Sequence, residues 1–416
     1  MACSLARSLQ QNISAAATSA DHGASSSNEI RLFWWFRFRG SRRSHRKAEA
    51  FQCSHGLRCV SDSRPSSFAS AHGVVVWVGS RPQSHCLPPR IGAHVWLLEY
   101  SESPAYYPEL HSEAFTRQFD LKVSHELDSD IVLTALHPMV EGGVIPPEQW
   151  LGRPTRPPVS AVVWLASNCA SRNDRELLAR KLLAALPPTL PLHSIGRCMH
   201  TRDAPALAPQ PAGGRFLSTW LSKVRVLHGY AFCLVAENSI AADYVTEKLF
   251  HAFAAGCLPV YYGTPSVERL LPHPMAIVRV LDFDSLGALV GHLRAIAANA
   301  TLYREHLAWR DDVAGVHAWW LRMRTLTSAA RTASKSDLVC EYCRIVQRSR
   351  QVTRAAPAAG GDAVGGTVAV GGVLARGFPP SPRPVQAVWP PLLSWWRRWW
   401  HIKRSRRQLQ SESLYL

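Results

Sequence analysis

A lysine at the start of a helix, close in the chain to three acids and an amide, is the strongest chemical signal in this sequence. The apolar run 232–236 ends in Glu237, Asn238 and Ser239. Asp243-Tyr244-Val245-Thr246-Glu247-Lys248 and a second apolar run, 258–262, follow. Both runs have strand length and turn residues at their ends. Between them Leu249, Phe250 and Phe253 recur at helical spacing, and Gly256 marks the stop. The first turn of that helix needs an acceptor for its free amides, which Asp243 or Thr246 can supply. Free N–H groups, the helix dipole and the Lys248 ammonium all favour an anion there, and phosphate is the obvious candidate. Ligands of open α/β sheets lie beyond the carboxyl ends of the strands, which is where Glu237 and Asn238 fall.

The elements around this block read as a strand–helix alternation, hence an α/β fold with parallel sheets. Residues 159–166 form a strand with Asn168 and Arg172 in the loop behind it, and 174–186 a helix. A strand over 276–280 and a helix over 285–298 complete the second half, while runs at 72–78 and 93–98 suit a first one. A length of 416 residues favours two domains plus tails. The reading is a low-complexity basic segment over 1–50, Rossmann-like domains over 51–155 and 156–345 joined near 154–158, and a Gly/Ala/Pro-rich linker with a Trp/Arg tail over 346–416.

The formal charge of +17 would suit nucleic acid, an anionic membrane or a phosphorylated substrate. Much of it clusters at Arg37–Lys47 and Arg397–Arg407, so it reads as solvated tails, with no nucleic-acid partner. The aromatic patch 32–38 is far short of the about 20 apolar residues that cross a bilayer. The Trp/Arg stretch 392–403 suits a membrane interface as well as it suits a merely sticky tail. Cys340 and Cys343 make a CxxC that fits a zinc site, a redox pair or a disulfide framework, the last favoured. Asp128-Ser129-Asp130 and Asp282-Phe283-Asp284 look like divalent-ion clamps, although Asp284 or Ser285 equally suits a helix cap.

Together these blocks resemble the donor-binding signature of the α-1,3/α-1,4-fucosyltransferases, glycosyltransferase family 10. Glu102-Ser103-Pro104, Asp128-Ser129-Asp130, the 161–169 strand with Arg172, Ile195–Cys198, Asp282-Phe283 and Trp309-Arg310 fall in the family's order, covering about 51–344. The resemblance implies a GT-B enzyme, two facing Rossmann-like domains with a cleft between them, that moves L-fucose from GDP-fucose with inversion. It implies a GlcNAc hydroxyl of a glycoprotein N-glycan as acceptor, in α-1,3 linkage.

By the same resemblance Glu102 is the general base; His111 and His125 are substitutes by residue type only, and the structural or solvated reading is favoured for both. Glu247 bonds a sugar hydroxyl or stabilises charge at the sugar carbon, and Arg172 with Lys248 holds the diphosphate. Asn168, Glu237, Asn238, Tyr244 and Thr246 orient the donor, although Glu237 could simply pair with Lys248. No metal ligands are implied, with Mn2+ or Mg2+ as stimulants at most. The CxxC is expected to reach back to Cys53 and Cys59, which needs an oxidising lumen. Cys198 lacks its expected partner, since Tyr230 stands there with Cys233 nearby. A type II Golgi membrane protein with a lumenal catalytic domain follows, and the sequon at Asn299 agrees with it. Two alternatives stand beside this reading: a transferase for another nucleotide sugar on the same scaffold, and a non-catalytic basic protein that binds membrane or nucleic acid.

Overall fold

The computed structural model describes residues 9, 28–35, 48–80, 87–91, 94–133, 159–204, 215–326 and 335–355. They form two α/β units, each built on a mainly parallel sheet. The first contains the described residues up to 133, the short segment Ala242–Glu247 and the described residues from His317 onward; the second contains the other described residues. Two Rossmann-like units in one chain are the make-up expected of the GT-B class. The expected joint at 154–158 lies outside the described residues.

The first sheet holds β1 (Glu29–Trp35), β2 (Glu49–Gln52), β3 (Arg58–Asp62), β4 (Gly73–Trp77), β5 (Val95–Tyr100), β6 (Leu121–Ser124) and β7 (Ile131–Val132). Their order is β2-β3-β1-β4-β5-β6-β7, parallel throughout except for the edge strand β2. β1 lies inside the stretch that reads in sequence as a basic segment, and it is a central strand. Phe33 and Trp35 pack on one face with Phe68, Val76, Trp96 and Phe119, while Leu32 and Trp34 pack on the other with Leu97 and Tyr342. A strand buried on both faces carries a continuous apolar run, and the Leu32–Trp35 part of the aromatic patch is core.

The helix Lys335–Ala355 covers the second of those faces through Val339, Tyr342, Cys343 and Val346, one stripe at helical spacing. It extends into the stretch expected to be linker. The approach is close: a Cβ at Gly73 would meet Val346 at 2.8 Å and Leu32 at 3.0 Å. Cys340 bonds Cys53 and Cys343 bonds Cys59, which settles the CxxC as a pair of disulfides.

The second sheet holds β8 (Val159–Trp164), β9 (Leu192–Ser194), β10 (Tyr230–Ala236), β11 (Leu258–Tyr262) and β12 (Val278–Arg279), all parallel, in the order β12-β11-β10-β8-β9. Every residue of β10 is buried, as expected of a central strand. The strand expected over 276–280 shrinks to two residues, because Pro274 opens a tight turn ahead of it. Arg175–Ala185, Glu247–Ala255 and Leu286–Ala298 are the connecting helices. Ser285 caps the last of them, its Oγ accepting from the Ala288 amide. Asn299, the exposed sequon residue, caps the next helix through Oδ1, which accepts from the amides of Thr301 and Leu302. Cys198 bonds Cys169, and Cys233 bonds Cys257; neither pairing follows from the sequence pattern.

Candidate active site

In the second unit the polar residues gather where β8 and β10 end. Glu237 follows β10, and its amide extends the ladder by donating to the Tyr262 carbonyl at 2.9 Å. Its side chain is fully buried, and Oε2 accepts from Lys248 Nζ at 3.0 Å. Lys248 sits in the first turn of Glu247–Ala255 and keeps about a quarter of its side chain in solvent, 27%. An ammonium held by a buried carboxylate at a helix start is a fixed cation with an open side, suited to an anionic ligand.

The loop after β8 is laced to the same strand end. The Arg172 amide donates to the Asn238 carbonyl at 2.8 Å, and Asn173 Nδ2 to the Glu237 carbonyl at 3.0 Å. Buried Arg175 donates from Nη1 to the Ala236 carbonyl and from Nη2 to the Asn168 carbonyl, both at 2.9 Å. Tyr262 closes the set, its hydroxyl donating to the Asn173 carbonyl, and burial pushes its phenol pKa up. Asn168 and Arg172 are themselves exposed. Thus Asn168, Arg172, Glu237, Asn238 and Lys248 are brought together in one unit. Asn173 and Arg175 escape a reading of the sequence. An arginine on the first turn of a helix reads as solvated, and only its burial marks it out.

The remaining expected residues belong with the first unit. Glu102 is exposed on the turn after β5, and its Oε2 accepts from the Tyr244 hydroxyl at 2.7 Å. Tyr244 is 2% exposed and meets the ring of buried His125 edge to face, centroids 5.1 Å apart. Burial holds the His125 imidazole down at about 4, so it is neutral at pH 7. Asp243, expected as one of two helix caps, instead turns its carboxylate to the Leu127 amide at 3.0 Å. The helix begins at Glu247, which leaves Thr246 at the position before it.

Three of the four aspartates of the two clamp-like motifs have partners within the protein. Asp128 pairs with Lys122 at 2.6 Å, Asp130 accepts from the Lys122 amide, and Asp282 pairs with Arg279 at 2.7 Å. Among the described residues no helix is long and apolar enough to cross a membrane.

The family model described as "Glycosyltransferase family 10 (fucosyltransferase) C-term" matches residues 157–359. The chain is 27% identical over 285 residues to alpha-(1,3)-fucosyltransferase B of Drosophila melanogaster, covering 67% of this chain and 61% of that protein. It is 26% identical over 294 residues to GDP-fucose protein O-fucosyltransferase 3 of Gallus gallus, covering 67% and 57%. The chain therefore spans less than two thirds of the length of these relatives. A crystal structure of alpha1,3-fucosyltransferase with GDP-fucose aligns at 15% identity over 74% of this chain and 93% of that one, with a TM-score of 0.44. The matched stretch, just under half of the chain, contains Lys248, Glu237 and the loop laced to them, and it is this part that is similar to glycosyltransferase family 10.

Proposed function

We propose that this protein transfers L-fucose from GDP-fucose to an acceptor hydroxyl with inversion at the sugar carbon. The observation that carries the reading is Lys248, held at a helix start by buried Glu237 beside the exposed Arg172 loop. Arg172 and Lys248 take the diphosphate, Arg as a planar fork and Lys as a point charge. Glu237 acts through Lys248 rather than by touching the donor. Asn168, Asn238 and Thr246 orient the nucleotide sugar, and Glu247 faces the positive charge that develops at its reacting carbon. Glu102, accessible and held by one hydrogen bond, takes the proton of the attacking hydroxyl. The new bond forms from that oxygen to the anomeric carbon as the bond to the β-phosphate oxygen breaks. GDP leaves with its charge met by the two cations. Mn2+ or Mg2+ enters only as a stimulant.

For the acceptor we favour a GlcNAc hydroxyl of a glycoprotein N-glycan, in α-1,3 linkage. A second reading has a specific support: the chain is 26% identical over 294 residues to a relative named GDP-fucose protein O-fucosyltransferase 3, so a polypeptide hydroxyl belongs in the same assay. The four disulfides among the described residues support a compartment with an oxidising lumen, and the Golgi is our assignment. The test is incubation with GDP-fucose, GDP-mannose and UDP-sugars against N-glycan, lactosamine and Ser/Thr-peptide acceptors, with linkage analysis of the product. Transfer from another donor, or none from GDP-fucose to any acceptor, would overturn the proposal.

A further inference from the structure

Resting on that functional reading, we propose that Tyr244 is a positioning residue for the base: its hydroxyl aims and holds the Glu102 carboxylate rather than gripping the donor. The backbone of Glu102 is already confined. β5 ends two residues before it at Tyr100, and behind it Ser103 accepts from the Ala105 amide while Pro104 opens a tight turn. The side chain has no such restraint, since an exposed glutamate keeps its rotamer freedom. What restrains it is the 2.7 Å bond from Tyr244 to Oε2, a charge-assisted contact of the short kind.

Tyr244 is itself immobilised. Its ring is buried against His125, whose own ring meets Tyr100 edge to face at 5.7 Å, and Tyr100 donates to Glu126 at 2.9 Å. Glu126 in turn holds Lys122. The backbone just before Tyr244 is pinned as well, where Asp243 takes a left-handed conformation (φ 53°) and accepts from the Leu127 amide. A chain of packed rings and ion pairs therefore ends in one hydroxyl on one carboxylate oxygen, supplied by a tyrosine 142 residues from the acid in sequence. The other oxygen is left to take the proton. The arrangement separates Tyr244 in role from Lys248, four residues on in the chain, although both lie in one sequence block.

The experiment is a double-mutant cycle on the full chain, with transfer from GDP-fucose and GDP affinity measured separately. Tyr244→Phe keeps the ring on His125 and removes only the hydroxyl. It is expected to lower kcat about tenfold or more, to leave GDP affinity within about twofold, and to add no further loss in a Glu102→Asp background, where the shorter acid no longer reaches the hydroxyl. A weakened GDP affinity with unchanged kcat, or losses that multiply in the double variant, would overturn the positioning role alone. Wild-type protein that binds no GDP and transfers no fucose would overturn the functional reading beneath it. Should Tyr244→Phe fail to fold, Glu102→Asp by itself decides: kcat equal to wild type would show that the bond does not matter.

Discussion

The two units hold themselves and their acids together in opposite ways. The first is closed by bridges spanning 287 and 284 residues, Cys53–Cys340 and Cys59–Cys343. The second is closed by bridges spanning 29 and 24, Cys169–Cys198 and Cys233–Cys257. The first unit presents Glu102 to solvent under a single neutral donor, whereas the second buries Glu237 completely and neutralises it with an ammonium. A carboxylate that must take a proton has to be reachable, while one that must orient a cation works best out of water. On the proposed reading the same side chain serves two ends, set apart by burial.

The bridges offer the largest test. In the chain-entropy account, closing a loop of nearly 300 residues is worth about 5.6 kcal/mol; once it is closed, the neighbouring bridge completes a ring of only roughly ten residues, worth about 2.7 kcal/mol. Replacing either long-range pair with alanines is therefore expected to cost about 3 kcal/mol in urea unfolding, and replacing both about 8. Strictly additive losses would mean that each bridge works by local packing on the helix Lys335–Ala355, not by closing the unit.

The acids come next. Glu102→Gln should lower turnover about a thousandfold while the urea midpoint stays put, because an exposed side chain contributes little to the fold. Lys248→Met should lower both transfer and stability, the latter by about 3 kcal/mol, since buried Glu237 loses its ammonium partner. If Lys248→Met lost activity at wild-type stability, the pair would be no structural element. The contrast drawn above would then collapse.

Much of the second unit is legible in the amino-acid sequence, and less of the first. β10 and β11 can be read because a strand buried on both faces is a continuous apolar run with turn residues at its ends. Glu237 and Lys248 can be read from the same frame: one follows β10 and the other opens the helix between β10 and β11. β1 is hidden because arginines flank its tryptophans, so its composition resembles a tail at a membrane surface. Only β3 and β4 on either side, and a helix some 300 residues onward, make it core. Tyr244 is legible as part of a motif but not as the partner of Glu102, a contact no local pattern encodes. The Cys233–Cys257 bond escapes for a similar reason, since the start of β11 beside β10 is a matter of register.

Acid should also separate the units. Burial, with Arg350, His72 and Arg90 adding to it, pushes His94 down to about 4, and burial does the same to His125 despite Glu126 and Asp243 nearby. Both lie in the first unit. Each is neutral when folded and takes a proton when unfolded below its ordinary 6.5, so its contribution is complete above that pH and is lost as pH falls toward 4. At pH 5 the loss is about 2 kcal/mol for each histidine. The urea midpoint of the first unit should fall between pH 6.5 and 4, and His94→Phe should flatten that slope. A flat profile in the wild type would show that both rings reach solvent or a partner when charged.

The smallest effect bears on the clamp-like motif of the second unit. Asp282 is tied to Arg279, and Ser285, two residues past Phe283, holds the Ala288 amide. That is the chemistry of a helix start rather than of a divalent-ion clamp. Ser285→Ala should cost about 1 kcal/mol of stability and leave transfer unchanged. Asp284→Ala should change neither the rate nor its response to added Mn2+. The first unit's motif provides the control: Asp128→Ala removes one of the two acids on buried Lys122 and so should destabilise more than Asp284→Ala does. An Asp284→Ala enzyme that needed more Mn2+ than wild type would turn the helix start into a metal site and give the leaving diphosphate a third cation.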